Sequence, residues 1–236
     1  MYTWGFESTI RDNISESLRT PPPVVRVRSR KRWSFSNIIH YLKLENVEFY
    51  QPPPIVEGKK TVVLDLDETL IHCCNYQSHP KVQSFKLGDF YVFKRPGLDN
   101  FLAKLRENFE IFVFTFGEKE YANPILDKIC PFVDANHRLF RDSCELQSAG
   151  VKKDLSIFNR RKQDLILIDD NSSAKNYYPK NTIRIPKWFG CPSDTALIDW
   201  LPPILDKCMK AEDVRTVIKE LNQKTKKNVR TGLLSS

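Results

Sequence analysis

Apolar residues collect in four short runs between residues 61 and 185: 61–66 within "TVVLDLDETL", 110–115 ("EIFVFT"), 165–169 ("LILID") and 182–185 ("TIRI"). The runs are rich in β-branched and aromatic residues, and segments with helical spacing lie between them at 97–107, 118–129, near 173–177 and at 194–208. Alternating strand and helix is the signature of βαβ units. It predicts an α/β domain built on a Rossmann-like, mostly parallel sheet with helices on both faces. One stretch, "QSFKLGDFYVFKRPG", departs from the pattern, because its two short runs meet at Leu87–Gly88–Asp89, where Gly–Asp favours a tight turn. A small β-hairpin is therefore expected at 81–94, inserted after the first strand.

Outside these runs the pattern weakens. Residues 1–30 are polar and end in the triple proline 21–23, which predicts an extended, mobile segment. "WSFSNIIHYLKLENVEFY" sets Ile38, Ile39, Leu42 and Leu44 at imperfect helical spacing, a short helix opening near Ser36. A second triple proline, 52–54, stops regular structure. The expected organisation is an N-terminal extension over 1–54, partly disordered, the α/β domain over 55–210, and a basic helix or tail over 211–236.

Charge changes the picture only at the ends. Of the net +8, residues 1–60 hold 10 Lys/Arg against 6 Asp/Glu, residues 206–236 hold 8 against 4, and residues 61–205 hold 19 of each. A globular nucleic-acid reader carries its basic stripe on the domain itself, so nucleic acid is not the expected partner of this core. The run Arg26, Arg28, Arg30, Lys31 and Arg32 reads as a nuclear address, a tether to an acidic partner, or a solvated arm. No apolar run approaches the roughly 18 residues that cross a bilayer. The start, "MYTWGFESTI", lacks a signal-peptide layout. An intracellular protein, nuclear or cytoplasmic and without a membrane span, is expected.

The 6 cysteines include no C-x-x-C pair and are read as reduced thiols. His72, Cys73, Cys74 and His79 cluster, but His–Cys–Cys adjacency lacks the usual metal-ligand spacing. No cysteine is followed six positions later by arginine, so the phosphate-cradling loop of cysteine phosphatases is absent. The ends of the apolar runs are more informative. Val62–Leu64 runs into Asp65 and Asp67, Ile111–Phe114 into Thr115, and Leu165–Ile168 into Asp169, Asp170 and Asn171. In an open parallel sheet ligands bind beyond the carboxyl ends of the strands, so these groups share one rim. Buried carboxylates need a counter-charge, and an oxygen-rich set with open positions suits Mg²⁺. The competing local reading makes Asp67, Glu68 and Thr69 the first turn of a helix.

"DLDETL" resembles the D-x-D-x-T signature of the haloacid dehalogenase (HAD-like) superfamily, and specifically of its small C-terminal-domain phosphatases and their Dullard-type relatives. Further matching segments follow in order: "FKRPGLDNFL", "VFTFGEKEYANPILD", "HRLFRDSC", "VKKDLS", "DDNSS" and "PKWFGCPSDTALIDWLP". The likeness covers about residues 55–208. It implies a Mg²⁺-dependent protein serine/threonine phosphatase acting on phosphopeptides such as the RNA polymerase II tail, through an aspartyl-phosphate intermediate. By the same resemblance Asp65 is the nucleophile and Asp67 the acid and base, with Thr69 orienting Asp67. Thr115 and Lys153 hold the phosphoryl oxygens, and Arg141 lies at the substrate groove, with Arg138 near enough in sequence to compete for that assignment. The metal ligands are Asp65, the backbone carbonyl of Asp67, and Asp170 or Asn171. Whether Asp169 or Asp170 is the metal-side carboxylate stays open.

The chain also departs from the family. Phe116 stands where a small residue usually follows the threonine, and the 81–94 insertion is compact. Two other readings compete: a non-catalytic peptide-binding member of the same fold, and a small-metabolite phosphatase of the wider superfamily. The complete set Asp65, Asp67, Thr69, Thr115 and Lys153 speaks against the first, and the lack of a large cap against the second.

Overall fold

A computed structural model describes residues 50–148 and 150–230, with side chains through 224. The expected helix near Ser36 and the basic run at 26–32 lie outside the described residues. The four apolar runs form β1 (Lys60–Leu64), β5 (Phe109–Phe114), β9 (Leu165–Asp169) and β10 (Thr182–Arg184). With the short β6 (Arg138–Leu139) they make one five-stranded sheet in the order β10-β9-β1-β5-β6, every pair parallel. Val63 sits in register with Phe112 on one side and Leu167 on the other.

Strand alternation sends neighbouring residues to opposite faces, and both faces are apolar. Val62, Leu64, Ile111, Val113, Ile166 and Ile168 pack on one side against α1 (Leu98–Asn108), α2 (Lys119–Ile129) and α4 (Leu201–Lys210). Val63, Phe112, Phe114, Leu165 and Leu167 pack on the other against Ala174 of α3 (Ser172–Tyr177) and against Leu155 and Phe158 in a single helical turn. At about 1.5–3 kcal/mol for each large side chain fully buried, this frame outweighs the cost of a few buried charges at its edge.

The segment expected as a helix over 194–208 divides into a π turn, Ala196–Trp200, and then α4, because Pro202 and Pro203 lack N–H groups and fit only the first turn of a helix. A last helix, α5 (Val214–Arg230), buries Val214 and Ile218 in the first core. Among the described residues, no helix is long and apolar enough to cross a membrane.

The expected hairpin forms as β3 (Ser84–Leu87) and β4 (Phe90–Lys94), turning on Gly88 at φ +56°. It gains a third strand, β2 (Ile71–Cys74), antiparallel to β4. A second small hairpin pairs β7 (Glu145–Gln147) with β8 (Gly150–Lys152).

Candidate active site

The strand order turns at β1, whose neighbours β5 and β9 follow it in the chain on opposite sides, so the crevice opens at the end of β1. Asp65 is still held in the sheet by its N–H, which donates to Ile168 O at 2.9 Å. The chain then folds back sharply through 67–70 into β2, with Glu68 at φ +58° and its N–H donating to Ile71 O at 2.8 Å. The helical first turn considered for Asp67, Glu68 and Thr69 is therefore not formed; the apolar pair Leu70–Ile71 is buried instead, with Ile71 opening β2.

Buried Arg95 secures this loop. Its guanidinium makes a two-pronged pair with Asp194, at 2.8 Å each, and donates to Thr69 O and Pro186 O at 3.0 Å. Thr69 is thereby aimed inward: its hydroxyl lies 2.9 Å from Asp65 Oδ2 and 3.2 Å from Asp170 Oδ1, so it orients these two carboxylates and not Asp67, the one that the resemblance implies.

Three carboxylates converge there. Asp65, Asp169 and Asp170 are all buried, and one oxygen from each lies within 4.8 Å of the others. Lys153, only 6% exposed, enters from just beyond β8 and donates to Asp65 Oδ1 at 2.6 Å and Asp169 Oδ2 at 2.7 Å. Lys152 points elsewhere, to Glu145 and Asp154. Burial and the neighbouring Asp169 and Asp170 push the Asp65 carboxyl well above its ordinary range, against the pull of Lys153. Burial also penalises the Lys153 ammonium, but Asp65 and Asp169 outweigh it and raise its pKa, so it stays charged.

Asp67 sits across the rim. Burial raises its pKa, opposed by hydrogen bonds from Tyr121 Oη at 2.5 Å and Thr115 Oγ1 at 3.3 Å. Thr115 Oγ1 in turn accepts the Gly117 N–H at 2.9 Å. Asn171 caps α3: its Oδ1 accepts from the Ser173 N–H at 3.0 Å and hydroxyl at 2.9 Å. Arg141 lies beside Phe116, donating to its carbonyl at 2.8 Å and stacking over its ring at 4.7 Å. Arg138 turns away toward Val133, Asn123 and Asp127.

The structure thus brings Asp65, Asp67, Thr69, Thr115, Lys153 and Asp170 together, and sets Asn171 and Arg141 at their edge. It adds three residues that sequence reading passed over or left open. Tyr121 and Arg95 are not singled out in the sequence, and Asp169, whose part is left open there, shares Lys153 with Asp65. The metal-holding candidates are Asp65, Asp169 and Asp170, an all-oxygen set suited to a hard cation. Lys153 and the Asn171 N–H (2.7 Å) already take one oxygen each of Asp169. Among the described residues the Asp170 carboxylate meets Thr69 at 3.2 Å and the half-exposed Lys187 at 3.1 Å, longer contacts than those on Asp169.

A Rossmann-like sheet with this acidic rim is the arrangement that the D-x-D-x-T resemblance implies. Residues 60–215 match the family model of the NLI interacting factor-like phosphatases, and the chain belongs to that family. It is 40% identical over 169 residues to a protein of Dictyostelium discoideum named probable C-terminal domain small phosphatase, covering 69% of this chain and 55% of that one. It is 33% identical over 170 residues to the human CTD small phosphatase-like protein, covering 70% and 61%. A solved structure of Fcp1, titled an essential RNA polymerase II CTD phosphatase, aligns with a TM-score of 0.45 at 23% identity, over 80% of this chain and 56% of that one. The chain spans about half the length of the first of these relatives.

Proposed function

We propose that this chain is a Mg²⁺-dependent phosphatase that removes phosphate from phosphoserine or phosphothreonine in proteins. The observation that carries the reading is the buried Asp65 carboxylate, bonded to Lys153 and Thr69, with Asp67 opposite under Tyr121 and Thr115. An Asp65 oxygen attacks phosphorus, and the departing seryl or threonyl oxygen takes its proton from Asp67. Asp65 then carries the phosphoryl group as a mixed anhydride. Water attacks it and gives its proton to Asp67, which releases phosphate and restores both carboxyl groups. The raised pKa of Asp67 suits an acid that must hold a proton for the first half and surrender it for the second.

Lys153 and Thr115 supply fixed donors to the transferring oxygens. A Mg²⁺ ion held by Asp65, the Asp67 backbone carbonyl and Asp170 or Asn171 would neutralise the phosphate so that a carboxylate can approach it. Among the described residues only two small antiparallel sheets are inserted between the main strands, leaving no large lid, and Arg141 with Phe116 offers a fork and a ring to a peptide. These features and the relatives' names favour phosphopeptides of the RNA polymerase II tail type.

The test is hydrolysis of an aryl phosphate and a phosphopeptide array by the purified chain. EDTA is expected to silence both reactions and Mg²⁺ to restore them, Asp65→Asn to be inert, and a trapped phosphoryl adduct to map to Asp65. Full turnover in chelator, or an adduct on another residue, would refute the scheme.

A further inference from the structure

We propose a second metal site, for a Zn²⁺-class ion, formed by His72, Cys74 and His79 on the small antiparallel sheet. Sequence spacing argues against it, because the adjacent Cys73 spoils the pattern. Strand geometry removes the objection. In β2, residues two apart share a face, so His72 and Cys74 point together while Cys73 turns to the other side, 3.0 Å from the Tyr121 hydroxyl. His79 comes in from the loop after β2, and one ligand atom from each of the three lies within 4.8 Å of the others.

The two nitrogens of His72 are already divided as a metal ligand requires. Nε2 faces the Cys74 sulfur at 3.2 Å, while Nδ1 faces Glu68 Oε1 at 3.2 Å. A carboxylate on the far nitrogen fixes the tautomer and orients the ring of a metal-binding histidine. His79 is positioned by packing. It stands edge-on to Phe93 at 5.0 Å, and Gly190 lies so close that a Cβ there would fall 2.2 Å from the imidazole. At φ +88°, Gly190 is also in the conformation that favours glycine.

Two imidazoles and a thiolate form a borderline-soft donor set, which selects zinc over the magnesium suited to the oxygen rim. All three side chains are part-exposed, so water completes a fourth position. Binding deprotonates Cys74, and the proton passes to solvent, so affinity rises with pH. Glu68 stands between Asp67 and Thr69, so occupancy also ties down the loop that carries them.

The test is titration of the full, reduced chain with Co²⁺ in excess Mg²⁺, followed by a Zn²⁺ chase and by equilibrium dialysis of Zn²⁺. The expected result is one equivalent bound, with a thiolate-to-cobalt charge-transfer band that Zn²⁺ abolishes. Cys74→Ser loses the band, His79→Gln weakens binding by at least about tenfold, and Glu68→Gln weakens it by about tenfold. Asp65→Asn and Cys191→Ser keep the band, which excludes the acidic rim and the exposed cysteine of the Gly190 loop. Absence of the band, its survival in Cys74→Ser, or its loss in Cys191→Ser overturns the assignment.

Discussion

Removing the single oxygen of Tyr121 tests how the second aspartate is tuned. Tyr121 donates to Asp67 Oδ1 at 2.5 Å, while the other donor, Thr115, stands at 3.3 Å. Burial and the adjacent Asp67 raise the pKa of the phenol, so it remains a donor throughout the working range. Its hydrogen bond favours the ionised form of Asp67, opposing the burial that favours the protonated form. A hydrogen bond to a charged group contributes about 1.5–3 kcal/mol, and one pKa unit corresponds to about 1.4 kcal/mol. Tyr121→Phe keeps the ring against Phe90, at 5.6 Å, and should raise the Asp67 pKa further. The limb of the kcat profile governed by Asp67 should move to higher pH, with KM for a small aryl phosphate nearly unchanged. The assay is kcat against pH for both proteins at saturating Mg²⁺. Superimposable profiles would show that Tyr121 is only packing and that Asp67 is not the titrating acid.

Lys153→Ala should lower kcat by about 10²–10³ and, with metal removed, cost about 3–5 kcal/mol in urea unfolding, because Asp65 and Asp169 lose their shared cation; a loss below about 1 kcal/mol would contradict the burial argument. Arg95→Met should destabilise the chain by a similar 3–5 kcal/mol, since Asp194 loses its partner, and should lower activity by freeing Thr69; unaltered kcat in the folded variant would remove Arg95 from the positioning of the loop.

Glu110 gives a test remote from the chemistry. Burial alone would raise its carboxyl, but hydrogen bonds from Arg160 and Thr61, with His137 3.8 Å away, hold it down to about 2. Its stabilisation is complete above the unfolded value near 4.5 and is lost as pH falls toward 2, about 3 kcal/mol in all. Glu110→Gln should therefore trail the parent at pH 7 and approach it in acid; a gap that does not change with pH would exclude this account.

The main sheet was legible because a strand covered on both faces must be written in apolar residues, as Val62–Leu64 and Ile166–Ile168 are. Other elements left less trace. β2 reads "IHCC", with no alternation to mark it, and β7 is wholly exposed, so no burial constrains its residues. The carboxylates at the rim were visible from strand ends alone. Their division of labour was not, since whether Asp169 or Asp170 meets Lys153 depends on where β9 stops and the chain turns. Tyr121 and Arg95 stayed hidden for a related reason: their partners lie 54 and 99 residues away in sequence, and only the folded chain brings them together.

The crowding of Asp65, Asp169 and Asp170 sets thermal resistance against turnover. In metal-free buffer these like charges oppose one another, and burial first, then Asp169 and Asp170, favours the neutral form of Asp65 against the attraction of Lys153. An inert amide at position 65 would relieve that repulsion and melt later than the working enzyme. The chain is most robust when it has lost the group that makes it useful.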